Sequence, residues 1–240
     1  MTSYKGIVFD KDGTLIDFNS TWLPVYQYAA LEFTMNDSQL AQELLERYGY
    51  DHTARRFIGG SLLAAGNNHD IALAWAEHLP EVDDEIKLEI LSVRMNQIFQ
   101  QQGALNSTAV RGLQNTIRVL NRAGLKLGVA TSDSYQGIHN TLQAFDVISE
   151  FDFLCGYDSG HGVKPEPGMV LAFCQAMSLQ PEEVIVVGDN SHDIEMGRNA
   201  RAGLCVGVLT GASTRAELEQ IADVVLNNIT ELPDLVKDDT

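Results

Sequence analysis

Residues 8–17 read VFDKDGTLID, and this stretch decides where the fold begins. The preceding segment KGIVF is apolar and partly β-branched, which predicts a short buried strand that ends at Asp10. Asp10, Asp12 and Asp17 then place three carboxylates within eight positions. Because buried like charges are costly unless a cation lies beside them, the stretch predicts either a solvated turn or a cation site at a strand end.

Strand and helix patterns alternate over the second half of the chain. The further predicted strands lie in LKLGVAT, FDFLCG, EVIVVGD, LCVGVL and ADVVL, with a helical pattern between each pair. Strands of this nearly continuous apolar kind are typical of a parallel sheet that is covered on both faces. The predicted core is therefore a doubly wound, Rossmann-like α/β sheet, formed by residues 1–16 and 104–240.

The segment between the first two strands, residues 17–103, shows helical patterns without a strand. Its longest predicted helix lies in VDDEIKLEILSVRMNQIFQQQ. The residues that we expect on one face of this helix are Ile86, Ile90, Leu91, Ile98 and Phe99. We therefore expect an all-helical domain inserted after the first strand.

Composition and charge exclude several classes of function. The chain has 240 residues, of which 45% are hydrophobic, enough for a core and a smaller companion domain. Its net charge of −17 argues against nucleic acid as a partner, because that binding needs a basic face. We expect no membrane span and no signal peptide, and we interpret the three cysteines as reduced core thiols. These features predict a cytoplasmic protein, monomeric or dimeric, without nucleic-acid or membrane partners.

Polar residues follow four of the predicted strands, at the edge where open α/β sheets bind their ligands. These residues are Asp10, Asp12, Gly13, Thr131, Ser132, Lys164, Asp189, Asn190 and Asp193. Each group alone fits an ordinary turn, a helix cap or a solvated lysine. Their joint occurrence at one edge instead predicts a functional site.

This combination of residue types fits phosphoryl transfer. Carboxylate oxygens suit Mg²⁺, while a lysine with hydroxyl or amide donors suits phosphate oxygens. A carboxylate beside both can attack phosphorus, because the metal and the lysine neutralise the phosphoryl oxygens that would repel it. A second carboxylate two residues later can protonate the leaving group and then activate water. A glycine in the same loop lets the backbone approach the phosphate closely.

The segments FDKDGTL, VATSD, KPEP and GDNSHD resemble the four motifs of the haloacid dehalogenase superfamily. The resemblance covers the whole chain, and the chain is similar overall to phosphoglycolate-phosphatase-like members with a helical cap of the C1 type. It implies a Mg²⁺-dependent phosphatase that hydrolyses small phosphorylated metabolites through an aspartyl-phosphate.

The resemblance also implies a role for each matching residue. Asp10 would be the nucleophile, Asp12 the general acid and base, and Lys164 the cation that neutralises the phosphate and the nucleophile. The residues implied to contact phosphate are Gly13, Thr131, Ser132, Lys164 and Asn190, and those implied to bind or support Mg²⁺ are Asp10, Asp12, Asp189 and Asp193.

Other activities differ from a phosphatase at single features. Lys11 stands where such phosphatases more often have an apolar residue, so DKDGT resembles the DKTGT of P-type ATPases. Those ATPases have Thr in place of Asp12 and need membrane helices, so Lys11 does not change the predicted class. A dehalogenase lacks the second aspartate, and a phosphoaspartate signalling receiver lacks the inserted helices. A hexose-phosphate mutase keeps all four motifs and stays an alternative.

The inserted segment contains a pair of arginines, Arg55 and Arg56, close to Gly59 and Gly60. In the family a glycine-containing cap loop reaches over the pocket, which would let one of these arginines bind an acidic group of the substrate. The pair equally fits a solvated basic surface, and the sequence leaves both interpretations open.

Overall fold

The computed structural model describes residues 4–79 and 85–237. The strands in these residues are β1 (Gly6–Phe9), β2 (Tyr50–Asp51), β3 (Arg56–Phe57), β4 (Lys126–Ala130), β5 (Phe153–Cys155), β6 (Val184–Gly188), β7 (Leu204–Val208) and β8 (Val224–Leu226). The α-helices are α1 (Phe18–Phe33), α2 (Ser38–Tyr48), α3 (Leu62–Ala65), α4 (Asn68–Ala76), α5 (Glu85–Asn106), α6 (Leu113–Arg122), α7 (Tyr135–Gln143), α8 (Gly168–Met177), α9 (Ser191–Ala200), α10 (Arg215–Leu218) and α11 (Leu232–Lys237).

Six strands form one sheet in the order β5-β4-β1-β6-β7-β8, and each pairs in parallel with its neighbours. Within this sheet, Val8 of β1 pairs with Gly128 of β4 on one side and with Val186 of β6 on the other. The predicted doubly wound α/β fold class is therefore confirmed. Since the chain runs outward from β1 through β4 and β5 and then returns to β6, the strand order reverses beside β1. Ligands of such sheets bind at this reversal, outside the carboxyl ends of the strands.

The residues of β1 alternate between two apolar clusters, one on each face of the sheet. Ile7 and Phe9 belong to the larger cluster, with Ile117 of α6, whereas Val8 belongs to the other cluster, with Phe173 of α8. This alternation follows from the two-residue period of a strand. Burial of both faces explains why the strands are almost entirely apolar in sequence.

Contacts between residues divide the chain into two units, one formed by Met1–Phe18 with Thr108–Thr240 and the other by Asn19–Ser107. In its described residues, 19–79 and 85–107, the second unit consists of helices and loops together with an antiparallel ribbon of β2 and β3. The expectation of a purely helical insertion is wrong in this respect, because strands of two residues are too short to show an alternating pattern. Asp51 stabilises the turn between them by accepting hydrogen bonds from the backbone N–H groups of Thr53 and Ala54. The assignment of residues 17–103 as a cap stays a prediction.

The predicted buried face of α5 contains one residue that is exposed in the structure. Leu91, Ile98 and Phe99 are buried as expected, together with Met95, but Ile90 is 63% exposed. Ile90 precedes Leu91 by one residue, so it points about 100° away from the buried face. The side chain of Ile86 lies outside the described residues.

The three cysteines, Cys155, Cys174 and Cys205, are buried and free, as predicted. Burial raises the pKa of Cys174 and of Cys205 to about 11, which keeps both thiols protonated at neutral pH. Of the helices in residues 4–79 and 85–237, none combines the length and the apolar character needed to cross a membrane.

Candidate active site

Asp10 follows β1 directly and stands at the middle of the carboxyl edge of the sheet. Its backbone N–H donates a hydrogen bond to the carbonyl of Val187 at 2.8 Å, which extends the pairing of β1 with β6 by one residue. The Asp10 side chain is buried. Strand pairing therefore fixes the backbone of this carboxylic acid within the rigid part of the sheet.

Lys164 provides the positive charge beside Asp10. Its Nζ lies 2.5 Å from Asp10 Oδ1 and 2.6 Å from Asp193 Oδ1, and all three side chains are nearly inaccessible to solvent. Burial by itself lowers the pKa of Lys164, but the carboxylates of Asp10 and Asp193 outweigh burial and raise the pKa above its ordinary value. Lys164 is therefore an ammonium ion at neutral pH.

Asp10, Asp189 and Asp193 form an acidic trio, in which one oxygen from each carboxyl lies within 4.8 Å of the others. Burial raises the pKa of Asp10 well above its ordinary value, against the opposing effect of Lys164, and Asp193 and Asp189 raise it further. Burial, followed by the charge of Asp193, raises the pKa of Asp189 to about 7. Both pKa shifts have the same cause, namely that burial and neighbouring carboxylates outweigh the ammonium of Lys164.

A divalent cation fits this deficit of charge. Among the described residues, Lys164 pairs with two of the three carboxyls, those of Asp10 and Asp193, and Asp189 completes the trio. Two positive charges besides that of Lys164 would balance three carboxylates. Carboxylate oxygens are also the ligands that Mg²⁺ prefers. Both oxygens of Asp193 are engaged within the protein, Oδ1 with Lys164 and Oδ2 with the backbone N–H groups of Asp189 and Asn190. Asp193 thus accepts three donors, whereas the described contacts give Asp189 two neutral donors and Asp10 the ammonium of Lys164. Asp10 and Asp189 have more lone pairs left and are therefore the better candidates for direct ligands, with Asp193 supporting them.

Two glycines leave the space that the Asp189 carboxyl occupies. A Cβ added to Gly13 would lie 2.5 Å from Asp189 Cγ, and one added to Gly211 would overlap Asp189 Oδ2. The backbone N–H of Ala212 donates to Asp189 Oδ2 at 2.9 Å, and Asn190 Nδ2 donates to Oδ1 at 3.2 Å. The loops after β1, β6 and β7 thus hold this carboxyl jointly.

Gly13→Ala is expected to destabilise the protein and to displace Asp189. Gly13 has a φ of 90°, where a side chain costs about 1–2 kcal/mol through backbone strain alone, and the contact with Asp189 adds to that cost. Gly124→Ala is the matched control, because Gly124 has a φ of 86° with nothing within 4 Å of an added Cβ. Urea denaturation should show a larger loss of unfolding free energy for Gly13→Ala, and equal losses would contradict the role given to Gly13.

Asp12 stands beside the acidic trio, and its carboxyl is paired with a different lysine. Lys11 Nζ lies 3.1 Å from Asp12 Oδ2 and 2.5 Å from Asp133 Oδ2, and the Lys11 side chain is only 1% exposed. Burial by itself lowers the pKa of Lys11, but Asp12 and Asp133 together raise it above its ordinary value. Lys11 is thus a second buried ammonium ion at this edge of the sheet.

Thr131, Ser132 and Asn190 follow the two strands that flank β1. Thr131 is buried after β4, and its Oγ1 accepts a hydrogen bond from the backbone N–H of Asp133 at 3.1 Å. Ser132 is exposed. The Asn190 side chain caps α9 by accepting from the N–H groups of His192 and Asp193, and it also donates to Asp189. Asn190 therefore orders the loop after β6, besides any contact with a ligand.

Arg55 and Arg56 belong to the second unit. Both are exposed, and Arg55 has a φ of 54° in the turn between β2 and β3. Their contact with a substrate stays a prediction.

Two parts of the site were not predicted from the sequence. One is the pairing of Lys11 with Asp133. The other is the loop after β7, where Thr210 Oγ1 donates to the carbonyl of Gly13 at 2.6 Å and Ala212 donates to Asp189. The segment TGA directly after an apolar strand was the available signal, because its polar groups lie at the same carboxyl edge.

The sequence profile of the haloacid dehalogenase-like hydrolases matches residues 4–201. The chain belongs to this family. The predicted superfamily and the predicted enzyme class, a hydrolase of that superfamily, are therefore confirmed.

Relatives of this haloacid dehalogenase-like hydrolase carry phosphatase names. Pyrophosphatase PpaX of Listeria welshimeri is 25% identical over an alignment that covers 97% of this chain and 96% of that protein. The phosphoglycolate phosphatase of Shigella boydii is 26% identical over an alignment that covers 95% of this chain and 90% of that protein. The crystal structure of a predicted phosphoglycolate phosphatase from Haemophilus somnus superposes with a TM-score of 0.77 at 19% identity, over 98% of this chain and 99% of that one. At such an identity the superposition shows a shared fold.

Proposed function

We propose that this haloacid dehalogenase-like hydrolase is a Mg²⁺-dependent phosphatase that hydrolyses small phosphomonoesters through an aspartyl-phosphate on Asp10. One observation carries the proposal: a buried lysine bridges Asp10 and Asp193, while Asp189 completes an acidic trio that fits a divalent cation. The phosphatase names of the relatives support the class of reaction.

In the first step a carboxylate oxygen of Asp10 attacks phosphorus, and the ester P–O bond breaks. The leaving oxygen takes a proton from the Asp12 carboxyl, which becomes a carboxylate. Lys164 offsets negative charge as the anionic phosphate meets the anionic nucleophile. Mg²⁺, held by Asp10, Asp189 and the Asp12 carbonyl with support from Asp193, would supply further positive charge there.

In the second step water attacks the phosphorus of the aspartyl-phosphate. The Asp12 carboxylate takes a proton from this water, and the bond between phosphorus and Asp10 breaks. Inorganic phosphate leaves, Asp10 returns to a carboxylate, and Asp12 is again protonated for the next cycle. The same carboxyl therefore serves as acid and then as base.

We assign the phosphate oxygens to donors at the ends of β4 and β6. The Thr131 hydroxyl accepts from the N–H of Asp133 and so keeps its proton available for a phosphate oxygen. Ser132 is exposed, so its backbone N–H is accessible to the same group. The predicted phosphate contact of Gly13 is left out of this assignment, because its N–H donates to the Ile16 carbonyl at 2.7 Å and its carbonyl accepts from Thr210. Asn190 contributes through its amide, which borders Asp189.

A substrate screen tests the proposal. Release of inorganic phosphate would be measured with phosphoglycolate, pyrophosphate, hexose phosphates and p-nitrophenyl phosphate in the presence of Mg²⁺. We expect release from small monoesters, and a preference for carboxylated esters would support substrate binding by Arg55 or Arg56. Isomerised hexose phosphate without phosphate release would instead establish the mutase alternative. The cap role of residues 17–103, a cytoplasmic location and a monomeric or dimeric state stay predictions.

Removal of the metal is expected to reduce hydrolysis on the order of a hundredfold or more, because Lys164 alone does not balance the acidic trio. Added Mg²⁺ should restore the rate, whereas excess Ca²⁺ should inhibit. Ca²⁺ is larger and accepts more ligands, so it can engage both oxygens of Asp10 and misalign the attack. The measurement is steady-state hydrolysis after exhaustive chelation and metal re-addition. Full activity of the metal-free protein would contradict this account.

A further inference from the structure

Lys11 is buried although it lies in a loop, and two carboxylates balance its charge. Its Nζ lies 2.5 Å from Asp133 Oδ2 and 3.1 Å from Asp12 Oδ2, and its side chain is 1% exposed. A buried ammonium is costly unless it is paired, so these contacts are needed to keep Lys11 in place.

Lys11 connects two loops at the carboxyl edge of the sheet. Asp133 is itself fixed, because its Oδ1 accepts from the backbone N–H of Ser134 at 2.6 Å, while its own N–H donates to Thr131 Oγ1. The ammonium of Lys11 therefore ties the Asp12 carboxyl to a point that the loop after β4 already holds. This loop also carries Thr131.

The two buried lysines have separate partners. Lys164 pairs with Asp10 and Asp193, whereas Lys11 pairs with Asp12 and Asp133. In the proposed reaction Asp10 forms the covalent bond and Asp12 moves the protons. Each of these two aspartates thus has a lysine of its own.

We infer that Lys11 is a positioning residue that orients Asp12 for proton transfer, an inference that rests on the proposed function. Without Lys11, the carboxyls of Asp12 and Asp133 would lose the ammonium that lies 3.1 Å and 2.5 Å from them, and with it an ion pair that holds Asp12 in its working position. Lys11 pairs with Asp12 and Asp133, and of these two Asp12 takes part in the proposed chemistry, so we place the effect of Lys11 on Asp12.

This role affects the two chemical steps differently. The p-nitrophenolate group leaves without a proton, so attack by Asp10 on p-nitrophenyl phosphate does not depend on the orientation of Asp12. Hydrolysis of the aspartyl-phosphate does depend on it, since Asp12 must take a proton from water. For this substrate kcat/KM reports formation of the aspartyl-phosphate. When hydrolysis of the aspartyl-phosphate is the slower step, kcat reports that hydrolysis.

Lys11→Met tests the inference by rapid-mixing and steady-state kinetics with p-nitrophenyl phosphate. We expect kcat to fall at least tenfold while kcat/KM stays within about threefold of wild type. A burst of about one p-nitrophenolate per enzyme should precede slow turnover. With an alkyl phosphate, whose leaving group needs a proton, kcat/KM should fall as well. Lys126→Met is the matched control, because Lys126 pairs with Asp152 on the surface of the same unit.

The double variant Lys11→Met with Asp133→Asn separates positioning from stability. It removes both charges of the pair, so we expect a higher Tm than for Lys11→Met alone with the same loss of kcat. Suppose that wild type forms a phosphoenzyme, as proposed. A wild-type kcat in either variant, or equal falls of kcat and kcat/KM, would then overturn the role of Lys11 and leave the proposed function intact. Absence of a phosphoenzyme from wild type itself would overturn the proposed function, and the role of Lys11 with it.

Discussion

Asp10→Asn is expected to lower turnover by at least about 10⁴-fold, because an amide is not a competent nucleophile. The amide is nearly isosteric with the carboxyl, and its oxygen can still accept the hydrogen bond from Lys164. The substitution also removes the crowded Asp10 carboxyl, whose pKa burial and the neighbouring carboxylates raise despite Lys164. The folded protein should therefore keep its Tm, or gain slightly, in the absence of metal.

Asp146→Asn is the matched control for this variant, because the Asp146 side chain is 88% exposed and lies in the same unit. Its activity should equal that of wild type. Steady-state hydrolysis of p-nitrophenyl phosphate and thermal denaturation would be measured for both variants. Substantial turnover by folded Asp10→Asn would show that another residue is the nucleophile.

Lys164→Met is expected to have the second largest effect, on activity and on stability together. It leaves Asp10 and Asp193 buried without their ammonium partner, and removal of one member of a buried ion pair costs about 3–5 kcal/mol. Loss of this charge beside the phosphate should also lower kcat/KM on the order of 10²- to 10³-fold. Urea denaturation without metal and steady-state kinetics with Mg²⁺ would measure the two effects separately.

The control for Lys164→Met is Lys5→Met. Lys5 pairs with Glu183, but its side chain is 58% exposed, and such surface pairs contribute about 0–1 kcal/mol. A small effect at Lys5 and a large one at Lys164 would locate the cost in the buried cluster. Similar unfolding free energies for both variants would argue against the importance of the Lys164 ion pairs.

The sheet and the acidic trio could be predicted because both follow from local sequence. Continuous apolar strands between helical patterns indicate parallel pairing, and the carboxyl ends of parallel strands meet at one edge. Asp10 and Asp189 each follow a strand directly, so their proximity required no knowledge of side-chain packing. Lys164 lies in a longer loop after β5, so the strand pattern predicted its place at this edge, and the resemblance to a family supplied its role beside Asp10.

The remaining parts of the site depend on contacts between distant residues. Lys11 in DKDGT has the appearance of a solvated turn residue, and its partner Asp133 is 122 positions away. The support of Asp189 by Ala212 uses a backbone N–H, which every residue except proline carries, so the segment TGA could indicate this loop but not this donor. Ile90 shows a different limit, because an apolar residue beside the buried face of a helix can equally stay exposed.

The most direct test of the mechanism is to identify the residue that carries phosphate during turnover. Wild-type protein would be quenched while it hydrolyses p-nitrophenyl phosphate with Mg²⁺ and then treated with borohydride, which reduces an aspartyl-phosphate to homoserine. Peptide mass spectrometry would locate the reduced residue. We predict homoserine at position 10 in wild type and none in Asp10→Asn. Reduction at another aspartate, or continued turnover with no reduced residue, would contradict the account.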